Sequence, residues 1–317
     1  MEPRQFSTAA VIGTGMMGPG IALTLALGGV RSTLLSRTPE GAARGLAAAQ
    51  AQARLLAGRG LLSVDEAADA LERLDASTGL EAAVAAVDLV VESAPEDMEF
   101  KQELFARLDA LAQPEAVLAS NTSGLSITAI ASRCVRPERV VTTHFWNPPH
   151  LMPLVEIVLG EKTGPAVAEA LRELLERCGK VPVLVKKDRP GQLGNRLQMA
   201  LVREAIHILA EGIADAEAID TVAKNGFGLR MPAYGILEHQ DIVGLEMGMA
   251  ILDYVSRDLN GDAGTPALAR EMLRRGENGA AAGKGFYDWS VKSPAEVKRR
   301  RDEFVLEVLR SRRSAGR

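Results

Sequence analysis

Val140 to Glu156 reads V-V-T-T-H-F-W-N-P-P-H-L-M-P-L-V-E and places His144 and Glu156 twelve residues apart across a proline-rich turn. Val140 and Val141 suit a buried strand, and Pro148, Pro149 and Pro153 forbid a regular element immediately after it. His144 is therefore expected at a strand end, where parallel α/β proteins keep their reacting groups. If Glu156 returns on the neighbouring strand, its carboxylate can hold one imidazole nitrogen and leave the other as a base for proton transfer. On these residues alone the alternative is a satisfied core histidine beside a surface charge.

The elements that must position such a pair begin at the N-terminus. Thr8 to Ile12 is a short β-type run that stops at G-T-G-M-M-G-P-G, with Gly13, Gly15 and Gly18 in G-x-G-x-x-G spacing before an Ala/Leu-rich helix. Glycines permit a tight turn and let the backbone approach a pyrophosphate, and Pro19 suits the first turn of the helix, whose N-terminus offers free N–H groups. Placed after a strand and before a helix, the pattern predicts dinucleotide binding. Roughly 20 residues past the glycines, an acidic residue would take the ribose 2′-hydroxyl of NAD. This chain has Ser36, Arg37 and Thr38. A guanidinium flanked by two hydroxyls suits a 2′-phosphate, so NADP(H) is expected to be preferred or at least accepted. In the alternative Arg37 only stacks on adenine and NAD is the cofactor.

Further along, Pro39 to Arg59 and Ser63 to Leu74 read as helices, the second opened by a Ser63/Glu66 capping box. Val87 to Glu92, Ala116 to Ser120, Leu154 to Leu159 and Val181 to Val185 read as strands, with helices at Asp97 to Leu111 and Pro165 to Cys178. After Lys187 the patterns become helical: Leu193 to Glu211, Ala216 to Ala223, Glu238 to Asp258, Pro266 to Arg275 and Ala295 to Ser311. The expected architecture is an α/β Rossmann-type dinucleotide-binding domain over residues 1–187, followed by an all-α domain over 188–317.

Composition limits the other possibilities. The 317 residues are 47% hydrophobic and carry a formal charge of -4, with basic runs only at Lys298 to Arg301 and Arg310 to Arg313. Those runs alternate with Glu and Leu at helical spacing, which reads as a solvated helix face rather than a polyanion site. No nucleic-acid partner is expected. Cys134 and Cys178 give no disulfide framework, no run approaches a membrane span, and no charged leader opens the chain. A cytoplasmic protein is expected. His150, His207 and His239 match no metal-site spacing.

Several ordered motifs together resemble the L-3-hydroxyacyl-CoA dehydrogenases. They are V-I-G-x-G-x-M-G-x-G-I-A from Val11, E-x-x-x-x-K-x-E-L-F from Glu96, S-N-T-S from Ser120, H-F-x-N-P from His144, L-V-E from Leu154, P-G-x-x-x-N-R-L from Pro190 and G-K-G-F-Y-D from Gly283. The resemblance implies that His144 is the general base for a 3-hydroxyl whose carbon gives hydride to the nicotinamide, and that Glu156 fixes its tautomer. Ser123 and Asn195 would hydrogen-bond the substrate hydroxyl and carbonyl, with Asn147 also on the substrate side. Met16, Met17, Ala94, Glu96, Lys101 and Asn121 would join the glycine loop around the cofactor. On chemistry alone Glu96 and Lys101 could equally be a solvated helix pair. The helical half resembles the family's dimerisation domain, so a homodimer acting on an acyl-CoA of fatty acid metabolism, in a cleft between domains, is what the family implies.

Two departures bear on the substrate. The family usually has Asp at position 36, and G-P-[FL]-E where this chain has G-I-L-E at Gly235 to Glu238. G-F-G-L-R from Gly226 and N-R-L-Q-M-A from Asn195 resemble the L-gulonate 3-dehydrogenase and carnitine dehydrogenase branches, which oxidise free hydroxy acids. Arg230 could then clamp a free carboxylate, or it is a helix-end residue facing solvent or a partner subunit. A non-catalytic nucleotide-binding protein is the remaining alternative, and it has no need of a base, an orienter and two donors.

Overall fold

The computed structural model describes residues 5–314. Its packing falls into two compact units, one running to Arg196 and resuming at Arg300, the other Leu197–Arg299.

The first unit is built on one eight-stranded sheet: β1 (Thr8–Ile12), β2 (Arg31–Leu35), β3 (Leu74–Ser77), β4 (Leu89–Glu92), β5 (Val117–Ser120), β6 (Val140–Phe145), β7 (Leu154–Leu159) and β8 (Val181–Val185). Their order is β3-β2-β1-β4-β5-β6-β7-β8. All neighbours are parallel except β6 and β7, because the turn through Pro148, Pro149 and Pro153 is too short for a crossover. Its helices are α1 (Gly18–Leu27), α2 (Pro39–Gly58), α3 (Val64–Glu72), α4 (Leu80–Ala85), α5 (Met98–Leu111), α6 (Ile127–Ile130) and α7 (Pro165–Arg177).

Strands buried on both faces need apolar residues throughout, and β4, β5 and β6 are buried at every position. Their side chains alternate between two cores. Ala9, Val11, Leu89, Val91, Val117 and Ala119 face the one closed by α1, α2, α3 and α7; Ala10, Val90 and Leu118 face the one closed by α4, α5 and α6. The chain leaves β1 toward β2 and β3 and then returns to β4 on the other side, so the crevice at the carboxyl ends of β1 and β4 is the topological switch point.

β3 lies within and just beyond the stretch expected to be helix to Leu74. Helix α3 ends at Glu72 and, after Arg73, four residues pair with β2. This edge strand buries only Leu74, too little for a period-two signal.

The second unit holds most of α8 (Gly194–Ala210), together with α9 (Ala216–Asn225), α10 (Phe227–Arg230), α11 (Ile236–Val243), α12 (Leu245–Val255) and α13 (Ala267–Arg274). No strand occurs in it among the described residues. The single helix expected over Glu238 to Asp258 is broken at Gly244, whose φ of 94° is outside the helical region. Gly283 to Trp289 forms a packed turn in which the Tyr287 hydroxyl donates to Asp220 at 2.9 Å and Lys292 Nζ lies 3.4 Å from the Tyr287 ring centroid.

The last helix, α14 (Pro294–Ser314), belongs from Arg300 onward to the first unit. Leu306 joins the core closed by α1, α2, α3 and α7, Arg310 Nε donates to the Arg59 carbonyl at 2.5 Å, and Arg313 reaches the Leu61 carbonyl and Glu66. Two of the basic residues expected on a solvated face are thus ties to the α2–α3 turn. None of the described helices is long and apolar enough to cross a membrane.

Candidate active site

His144 and Glu156 are direct partners in the antiparallel β6–β7 pair, and such pairing brings side chains on one face together. Nδ1 of His144 lies 2.7 Å from Oε2 of Glu156, with the two residues only 5% and 1% exposed. The carboxylate has further donors. Trp146 Nε1 donates to Oε2 at 3.1 Å, and the backbone N–H groups of Leu193 and Gly194 donate to Oε1 at 2.9 and 2.8 Å. These last two belong to the start of α8. The chain is turned toward the carboxylate by Gly191 and Gln192, with φ of 80° and 53°, and Gln192 is anchored to the Thr122 carbonyl by its side-chain amide.

Burial alone would push the Glu156 carboxyl up. The hydrogen bonds from His144, Gly194, Leu193 and Trp146 outweigh it and hold the group down at about 2. An ionised carboxylate only accepts, so His144 must carry its proton on Nδ1, which leaves the lone pair on Nε2. Among the described residues Nε2 makes no hydrogen bond.

Around this pair the strand ends form a hydrogen-bonded rim. Asn121 Oδ1 accepts from the Phe145 N–H at 2.9 Å, which ties β5 to β6. Asn195 Nδ2 donates to the Ser123 carbonyl at 2.8 Å, so these two adjoin one another, while the Ser123 side chain is exposed. Asn147 is exposed in the turn after β6. Glu96 Oε1 accepts from Thr122 Oγ1 at 2.5 Å and from the backbone of Ser123 and Gly124 at 2.9 and 3.1 Å, organising that loop.

Lys101 is not a solvated partner of Glu96. It is 1% exposed, donates to Glu92 Oε1 at 2.6 Å and lies 3.5 Å from Glu96 Oε2. Glu92, fully buried, also accepts from Ser120 Oγ at 2.6 Å and from the Ala94 N–H at 2.5 Å. Sequence reasoning placed Glu92 on its strand without giving it work. The available signal was a carboxylate closing the apolar run L-V-V-E with a lysine nine residues on.

The glycine loop fits a dinucleotide. Gly13 has a φ of 109°, and a β-carbon there would overlap the Ser93 carbonyl; one on Gly18 would overlap the Gly13 carbonyl. Gly15 has open space above it, Met16 is exposed, Met17 is half-buried, and α1 starts with no side-chain cap on its N–H groups. At the end of β2, Thr38 caps α2 by accepting from the Gly41 N–H at 3.1 Å, and Ser36 Oγ lies 3.5 Å from the Thr38 nitrogen. The exposed Arg37 makes no ion pair or hydrogen bond among the described residues.

Arg230 lies within the helical unit, where Nη2 is 3.1 Å from His239 Nε2 and His239 stacks on Tyr234. Cys134 and Cys178 are free, and burial pushes their thiols up to about 11 and 12.

A doubly wound sheet with a dinucleotide-shaped glycine loop, and a carboxylate-held imidazole at the end of one of its strands, defines an oxidoreductase of the pyridine-nucleotide dehydrogenase class. Residues 8–189 match the family model described as 3-hydroxyacyl-CoA dehydrogenase, NAD binding domain, and residues 191–289 match 3-hydroxyacyl-CoA dehydrogenase, C-terminal domain. The chain belongs to the 3-hydroxyacyl-CoA dehydrogenase family, whose members act on CH–OH groups. It is 31% identical to 5-formyl-3-hydroxy-2-methylpyridine 4-carboxylate 5-dehydrogenase of Mesorhizobium japonicum, over 95% of this chain and 96% of that one. It is 37% identical to a probable 3-hydroxybutyryl-CoA dehydrogenase of Bacillus subtilis, over 92% and 100%. A crystal structure of 5-formyl-3-hydroxy-2-methylpyridine 4-carboxylic acid 5-dehydrogenase, described as an NAD+ dependent dismutase, superposes with a TM-score of 0.89 at 30% identity, covering 99% of this chain and all of that one.

Proposed function

We propose that the protein oxidises the 3-hydroxyl of a 3-hydroxyacyl-CoA reversibly, with His144 as general base. The observation that carries this is the imidazole fixed at Nδ1 by a fully engaged carboxylate, with Nε2 free at a strand end. In this reading Nε2 takes the hydroxyl proton while the C3–H bond breaks and C–O becomes C=O. Glu156 stabilises the imidazolium that results, and the Ser123 hydroxyl and the remaining Asn195 amide hydrogen orient the substrate oxygens. The nicotinamide dinucleotide held by Gly13, Gly15 and the start of α1 supplies the hydride acceptor. Glu96, Lys101 and Asn121 fix the loops that border it.

The unpartnered Arg37 favours a second element of the reading, acceptance of NADP(H). Glu40 stands in the first turn of α2, so the cofactor ratio measures which of the two charges dominates. Relatives named L-carnitine dehydrogenase favour one alternative substrate class, a free hydroxy acid whose carboxylate Arg230 would bind. A homodimer through the helical unit is also proposed. Helices α8 to α12 bury only Ile206 and Gly248 within the single chain, while Leu201, Leu229, Ile242, Leu245 and Ile251 are exposed. Free Cys134 and Cys178 accord with a cytoplasmic setting.

The test is oxidation of NADH and NADPH, side by side, with acetoacetyl-CoA, followed by the fall in nicotinamide absorbance. Turnover is expected with wild type and not with His144→Gln, which should still bind cofactor. An active His144→Gln refutes the base assignment, and an inactive wild type that binds cofactor turns the reading to free hydroxy acids.

A further inference from the structure

We propose that Trp146 is a positioning residue that tunes the basicity of His144 by sharing the carboxylate oxygen that holds it. The inference rests on the reading of His144 as general base.

Oε2 of Glu156 receives two donors, His144 Nδ1 at 2.7 Å and the indole N–H at 3.1 Å, while Oε1 is fully used by the Leu193 and Gly194 amides. A hydrogen bond to an anion draws charge from the accepting oxygen, so the indole lessens what that oxygen can offer an imidazolium. The two rings also adjoin, with centroids 5.7 Å apart and planes tilted by 51°. That contact needs only the ring, whereas the route through the carboxylate needs the indole N–H. Its place is also closely fitted, because a β-carbon on Gly194 would overlap Cζ2 of the indole. The glycine that lets the ring in is the residue whose N–H binds Oε1.

Other charges near the pair are engaged elsewhere. Glu92, Glu96 and Lys101, at the end of β4 and on α5, bind one another and the Ala94 to Gly124 loops. Asp188, after β8, accepts from Ser126 and Thr128, and Arg196 donates to the Pro190 carbonyl. Lys187 and Arg189 make no contact with the pair among the described residues. Among the described residues Glu156 is the only titratable group touching the imidazole.

A purely structural role for Trp146 would need only a flat ring, whereas this role needs the N–H. Trp146→Phe, and the benzothienyl isostere of tryptophan at position 146, which keeps the bicyclic shape and loses only the donor, separate the two. With the donor gone Oε2 serves the imidazolium alone, so His144 becomes a stronger base. The acid limb of kcat/KM for alcohol oxidation should move to higher pH by about half a unit, a fraction of what one charge-assisted hydrogen bond contributes because the indole acts through the shared oxygen. Ring NMR of His144 in the cofactor-free protein should show the same displacement. A limb and a ring titration that stay in place in the folded isostere, while His144→Gln is inactive, overturn the role of Trp146 and leave the base assignment standing. Turnover by His144→Gln removes the base assignment and this inference with it.

Discussion

Replacing Glu156 by Gln changes one atom and should change both stability and rate. The carboxyl ordinarily titrates at 4.5 and is held at about 2 in the fold. At about 1.4 kcal/mol per pH unit, this is roughly 3 kcal/mol of folding stability at neutral pH. The sign follows from the direction. A carboxyl depressed in the fold contributes fully above 4.5 and loses its contribution as pH falls through about 2. The glutamine oxygen can still accept from Leu193 and Gly194, but its amide hydrogens then face His144 Nδ1 and the Trp146 N–H. Donor meets donor at the indole, and Nδ1 can only accept, which puts the imidazole proton on Nε2 where the base must be free. Glu156→Gln should be less stable than wild type by about 3 kcal/mol in urea unfolding at pH 7, and the gap should shrink to roughly half by pH 3. Its kcat should fall roughly a thousandfold or more, as expected for a base held in the wrong tautomer. A gap that does not depend on pH, or a kcat within about tenfold of wild type, would falsify this account of the pair.

Arg37→Ala should raise KM for NADPH about tenfold, the value of one charged hydrogen bond to phosphate, and leave KM for NADH nearly unchanged. Equal effects on the two cofactors would show that the guanidinium does not read the 2′-phosphate. Light scattering of the purified protein should give twice the 33.7 kDa chain mass; a monomer would leave the exposed helices without the partner proposed for them.

Much of this fold is legible from residue order because its signals are local. The glycine loop lies between a five-residue strand and an apolar helix, and the valine-rich runs of β4, β6 and β7 match burial on both faces. The turn prolines make an antiparallel return reasonable, which brings His144 opposite Glu156. What escapes sequence depends on approach between distant segments. Nothing in Q-L-G-N shows that two of its N–H groups will meet a carboxylate 37 and 38 residues upstream. Trp146 reads as one more apolar residue after a strand until the register fixes the direction of its N–H. Lys101 looks like a surface lysine on a helix until Glu92, on the strand beneath, draws it inward. β3 is too short and too exposed to separate from the helix before it.

The return of α14 makes the sheet-bearing unit discontinuous in sequence, since about a hundred residues of the helical unit are spliced between its two parts. A ribosome making this chain delivers the strands first and the residues that fasten α2 to α3 only after the helical unit. Until Leu306 has emerged, the core on that face of the sheet lacks one of its side chains, and the Arg59 and Leu61 carbonyls lack the guanidinium donors of Arg310 and Arg313. The nucleotide-binding half is thereby completed only after the helical half has been synthesised. Damage to α14 would loosen the α2–α3 excursion, far away along the chain.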